Sequence, residues 1–156
     1  MFHSKIDNAR SQPLERGRSA IDSIRHAPPP ALAGDFARAA YFGALSISDL
    51  LAVIAQPDPY LMVMTDMFIH GLHEVPYTFG DARQITGLED HDAALVVSRL
   101  MRRNMLRRVG KFQDNIPFQD YDRIELGPMQ RAELAGFFAR AYERGPAALD
   151  ELMRGL

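Results

Sequence analysis

The sequence predicts a mainly α-helical protein that carries one small β-hairpin. From residue 34 onward apolar residues recur at helical spacing in segment after segment, and the segments are punctuated by capping and left-handed stop residues. Only between 105 and 126 does the pattern change to a period of two. A chain of 156 residues that is 47% hydrophobic can bury a core of its own, so it needs neither disulfides nor a structural metal.

Residues 1–33 read as a polar N-terminal arm and proline linker. Pro13 and Gly17 interrupt any long helix, Ile21 and Ile24 form only a thin apolar stripe, and Pro28-Pro29-Pro30 is a stiff extended segment. In 34–57, Asp35 is placed to cap a helix through Phe36, Ala40, Phe42 and Leu45 to about Ile54. That helix is apolar around most of its circumference, which predicts burial on more than one side and therefore an interface between subunits. Arg38, Ser46, Ser48 and Asp49 make it too polar for a membrane span, and the start Met1-Phe2-His3-Ser4-Lys5 lacks the order of a signal peptide. A cytoplasmic protein without a membrane partner is the resulting expectation.

Asp58 caps the next helix with Pro59 at its first position, where a missing N–H costs nothing. Tyr60 to His73 follows, with Leu61, Met64, Phe68 and Leu72 on one face. Thr78 caps a short helix to Ile85, and Gly87 suits its left-handed stop. Asp90 is placed to cap His91 to Arg103, with Asn104 as the stop. Met105 to Val109 and Tyr121 to Leu126 read as strands joined by a long polar tip. Gly127-Pro128 opens a helix from Met129 to Glu143, and Gly145-Pro146 opens a last one with Leu149, Leu152 and Met153. The predicted organisation is an interface helix at 34–57, a lobe at 58–127 and C-terminal helices at 128–156.

Composition removes several chemistries. With no cysteine the chain has no thiolate nucleophile, no thiolate-bound zinc and no iron–sulfur cluster. No nucleophile elbow, phosphate loop, dinucleotide fingerprint or zinc-protease motif occurs, so the chain is read as a non-enzyme that needs no cofactor. Its 18 basic and 20 acidic residues give a net charge of −2, which at first argues against nucleic acid. The average hides an asymmetry. Between Ala93 and Gln113 lie Arg99, Arg102, Arg103, Arg107, Arg108 and Lys111 with no acid, leaving 12 basic against 20 acidic residues elsewhere.

Short helix, glycine turn, longer basic helix and basic hairpin follow the order of a winged helix-turn-helix module. A helix enters the DNA major groove only if its outward face is free of the core. On 91–103, Ala93, Val96, Val97, Leu100 and Met101 share one side; His91, Leu95, Ser98, Arg99 and Arg102 share the other. Ser98, Arg99 and Arg102 are therefore the base-reading candidates, since an arginine can bind a guanine edge through two N–H groups. Arg103, Arg107, Arg108 and Lys111, at the helix end and hairpin, are the phosphate candidates.

Thr78-Phe79-Gly80-Asp81-Ala82-Arg83-Gln84-Ile85-Thr86-Gly87-Leu88 and Val97-Ser98-Arg99-Leu100-Met101-Arg102-Arg103-Asn104-Met105-Leu106-Arg107-Arg108 resemble the helix-turn-helix and recognition helix of the MarR family of bacterial winged-helix regulators. Tyr121 to Leu126 with Gly127 resembles the family's return strand and the start of its long dimerisation helix. The resemblance covers about Pro59 to Phe138. It implies a homodimer built from dimerisation helices at 34–57 and 128–156, bound to a near-palindromic operator in double-stranded DNA, a repressor released by a small aromatic ligand between the dimerisation helices and the DNA-binding lobe. Within that family the absence of cysteine excludes a thiol-oxidation switch. Two departures stand out: Glu89-Asp90-His91-Asp92 puts negative charge at the front of the recognition helix, and Asp120, Asp122 and Arg123 only approximate the family's Asp-x-Arg wing pattern.

Phe42, Met64 and Phe68 are the pocket candidates for such a ligand, the methionine being adaptable in shape. His70 and His73, followed by Glu74, are spaced to meet one metal from a helix end, although dipole-favoured histidines at a helix terminus explain the same pattern. Two alternatives to a DNA-binding regulator stay open. One is a winged-helix adaptor that binds protein without DNA; the other is a metal-gated sensor working through His70 and His73.

Overall fold

The computed structural model describes residues 30–110 and 117–145. Within them the chain runs α1 (Gly34–Val53), α2 (Pro59–Leu72), β1 (Tyr77–Thr78), α3 (Phe79–Thr86), α4 (Asp90–Arg102), β2 (Leu106–Arg108), β3 (Arg123–Leu126) and α5 (Pro128–Arg144). The described chain is thus mainly helical with one small antiparallel sheet. Most of the expected N-terminal arm, the hairpin tip with Lys111, and the helix expected after Gly145 lie outside the described residues.

Local chemistry accounts for most of the boundaries. The Asp58 carboxylate accepts from the amides of Tyr60 (2.8 Å) and Leu61 (3.3 Å), with Pro59 opening α2. Thr78 and Asp81 cap α3 reciprocally: the Asp81 amide donates to the Thr78 hydroxyl, and the Thr78 amide donates to the Asp81 carboxylate. Gly87 ends α3 at φ 69°, and Asn104 follows α4 at φ 57°, the left-handed positions expected of them. Two expected caps are corrected. Ala33, not Asp35, precedes α1; Asp35 lies in the first turn, where it binds Arg38 at 2.6 Å. Glu89 precedes α4, and Asp90 is already helical, its carboxylate paired with Arg83 at 2.9 Å instead of capping the helix.

The sheet holds a strand that the sequence reading misses. Tyr77 and Thr78 pair antiparallel with Ile124 and Arg123, so the order is β1-β3-β2. Across β2 and β3, Leu106, Arg107 and Arg108 face Leu126, Glu125 and Ile124. The amides of Phe79 and Gly80 bond to the carbonyls of Asp122 (2.8 Å) and Asp120 (2.9 Å), joining the start of α3 to the segment that enters β3.

The core runs through every helix, with Ile47, Val63, Ile69, Phe79, Val97, Ile124 and Phe138 fully buried. The Phe68 and Phe138 rings meet at 5.0 Å. Helix α1 lies along α5 so closely that a Cβ on Gly43 would sit 1.9 Å from the Phe138 carbonyl oxygen. By length and hydropathy α1 would suffice to cross a membrane, a property it shares with helices of protein cores. It buries Ala40, Ala44, Ile47 and Leu51 inside the fold and leaves Phe36, Phe42 and Val53 exposed.

Candidate nucleic-acid interface

Helix α4 buries Ala93, Val96, Val97 and Leu100 against the core, with Met101 half-buried beside them. Its opposite side exposes His91, Leu95, Arg99 and Arg102, with Ser98 half-buried among them. The stop at Asn104 then turns the chain into β2, so the exposed side of α4 and the sheet are consecutive in sequence.

The six basic residues of this region meet different fates. Arg102 and Arg103 are exposed, and among the described residues no carboxylate pairs with either. Arg99 is also exposed, but its NH1 donates to the Tyr60 hydroxyl at 2.7 Å, a contact that raises its pKa further. Arg107 lies on the outer side of the sheet and pairs with Glu125 across the strands. Lys111 lies outside the described residues.

Arg108 is a correction to the phosphate set. Its side chain is 1% exposed, pairs with the equally buried Asp122, and donates to the Pro117 carbonyl at 3.0 Å. Its guanidinium sits 4.3 Å from the centre of the Phe118 ring, which stacks on Phe79 at 4.9 Å. The reason is strand alternation: Arg108 shares the inner side of β2 with Leu106 and faces buried Ile124. Its charge therefore ties the hairpin to α3 and reaches no phosphate. The alternation was present in the sequence, whereas the role of Asp122 as its counter-ion was not.

Sequence reasoning missed two further residues. Arg83 of α3 bridges Asp90 at the start of α4 (2.9 Å) and Asp120 ahead of β3 (2.7 Å), and so neutralises part of the acidic front of α4. Tyr60 of α2 is 39 positions from Arg99, too far for any local pattern to link them.

The candidate ligand-pocket residues have different surroundings. Phe68 is buried against Phe138, whereas Phe42 is 43% exposed and faces Tyr142 at 6.0 Å. None of Phe42, Met64 and Phe68 lines the cleft of about 190 Å³ between the end of α2, β1, β3 and Arg131, nor the one-water space beside Ser48, Thr65 and Asp66.

The proposed metal pair is likewise corrected. His73, at the C-cap of α2, holds the Tyr41 hydroxyl at 2.9 Å, while His70 turns inward, 3.6 Å from Asp66 and edge-on to Tyr77. Among the described residues no three His, Asp or Glu side chains converge for a metal. Burial lowers the pKa of both histidines. It pushes the Asp66 carboxyl from 3.8 up to about 8, against the opposing hydrogen bond from Tyr77 at 2.8 Å. This buried group joins α2 to β1. Its sequence signal is an acid four residues before a histidine on an otherwise apolar helix.

No family model, curated protein or solved structure matches this chain significantly.

Proposed function

We propose that this chain is a DNA-binding transcriptional regulator of the winged helix-turn-helix type, acting as a homodimer. The observation that carries the reading is helix α4: one side is packed into the core, while the other exposes Arg99 and Arg102 beside half-buried Ser98, with the antiparallel sheet immediately following. In this reading α4 enters the major groove and the hairpin lies along the adjacent backbone. The order α2, β1, α3, α4, β2, β3 and the sheet order β1-β3-β2 support it. So does the Arg83–Asp90 pair, which reduces the repulsion that the acidic start of α4 would offer to phosphates.

The homodimer rests on the exposed aromatic side chains Phe36 and Phe42 of α1 and Tyr142 of α5, which a second copy would cover. Two copies of α4 about 34 Å apart would read successive major grooves of a near-palindromic operator, and repression is the expected outcome.

Fluorescence anisotropy with genomic DNA fragments at low salt tests the reading. The wild-type chain should bind with log K falling by about 0.9 per phosphate neutralised, and Arg102→Ala should weaken binding. Indifference to both Arg99→Ala and Arg102→Ala would sink the assignment, and no DNA binding at all would favour the protein adaptor.

A further inference from the structure

We propose that Tyr60 is a positioning residue that turns Arg99 from base reading to phosphate binding, leaving Ser98 and Arg102 as the base readers of α4. The inference rests on the DNA-binding reading above and deepens it. It also revises the sequence expectation, in which Ser98, Arg99 and Arg102 shared one role.

The geometry begins at the start of α2. Asp58 holds the amides of Tyr60 and Leu61 while Pro59 fixes the first turn, so the Tyr60 backbone has little freedom. The ring packs, half-buried, against the core, and its hydroxyl receives NH1 of Arg99 at 2.7 Å. A hydrogen bond from a charged donor is among the stronger ones.

Helical geometry then separates the three candidates. At about 100° per residue, Arg102 lies between Ser98 and Arg99, about 40° from the first and 60° from the second. The head group of Arg99 is held by a side chain of α2. Reading guanine end-on needs both terminal nitrogens directed at one base edge. In Arg99 one N–H of NH1 is already bonded to Tyr60, which holds the fork toward α2. What remains free is the rest of the guanidinium, held by Tyr60 at one edge of α4. Phosphate oxygens accept from arginine in this way, without regard to sequence. Arg102, with no such partner among the described residues, keeps its full fork.

The test uses duplexes selected by the wild-type full chain from a random-sequence library, with affinities measured at several salt concentrations. Arg99→Ala should weaken binding by a similar factor on the selected duplex and on its single-base variants, and lower the salt slope by about 1. Arg102→Ala should instead relax the preference at one base pair by roughly tenfold or more. Tyr60→Phe, which keeps the ring and its packing, should keep a cooperative thermal melt and weaken all duplexes about equally. It should add nothing to Arg99→Ala in the double variant. If Arg99→Ala relaxes one base position without changing the salt slope, or if the two substitutions are additive, the assignment of Tyr60 and Arg99 is wrong while the DNA reading stands. If the wild-type chain binds no duplex, the DNA reading falls and this assignment with it.

Discussion

Replacing Asp66 by asparagine tests the buried junction between α2 and β1. The carboxyl receives the Tyr77 hydroxyl from β1, faces His70 on its own helix, and feels the charge of Asp81 on α3. Burial holds its pKa at about 8 against 3.8 in the unfolded chain, so between those values the folded protein keeps a proton that the unfolded chain releases. The contribution of this group to stability is therefore fully present below about pH 4 and is lost as pH rises to about 8, with a slope of about 1.4 kcal/mol per pH unit. His70, whose pKa is lowered, acts in the opposite sense, but only below about pH 6.5, where the unfolded imidazole takes up a proton. His73, lowered by burial as well, acts in the same range as His70, so among the shifted groups of the described residues Asp66 is the one that acts between pH 6.5 and 8, with about 1–2 kcal/mol of lost stability. Asparagine accepts from Tyr77 and donates toward His70 without carrying a charge. Urea unfolding of Asp66→Asn at half-unit steps over this range should give a flat profile and a higher midpoint than the wild type at pH 8. A wild-type profile already flat, or a variant that declines in parallel with it, would refute the argument.

Arg108→Leu should destabilise the chain by about 3–5 kcal/mol in chemical unfolding, because it leaves Asp122 buried without its counter-ion. The double substitution with Asp122→Leu should recover much of that loss. Gly43→Ala should cost about 1–3 kcal/mol or prevent folding, since the added methyl meets the Phe138 carbonyl backbone, and thermal melting reads the result. Thr78→Ala should lower stability by about 1 kcal/mol in the same assay through loss of the α3 cap.

Much of the helical framework was legible because the signals are local. Asp58 with Pro59, Thr78, Gly87 and Asn104 each act within a turn of the chain, and each bounds a helix where the sequence places it. The inward and outward sides of α4 were legible for the same reason, since a 3.6-residue period is written in neighbouring residues. Strand β1 was hidden, because two residues are too short for any period and exist as a strand only by pairing with β3, about 46 positions away in the register. Asp35 and Asp90 looked like caps, but Arg38 and Arg83 compete for their carboxylates, and the competitor of Asp90 lies on another helix.

By itself, then, the sequence determined where most of the described helices start and stop, which side of α4 is apolar, and that basic residues gather between 99 and 111. Only the tertiary structure decided which of those charges face solvent. Arg108 was neutralised by Asp122, Arg99 was taken by Tyr60, and His70 and His73 were sent to different partners. The physical reason is range: propensity and capping act over three or four residues, whereas charge pairing and burial depend on residues that only folding brings together.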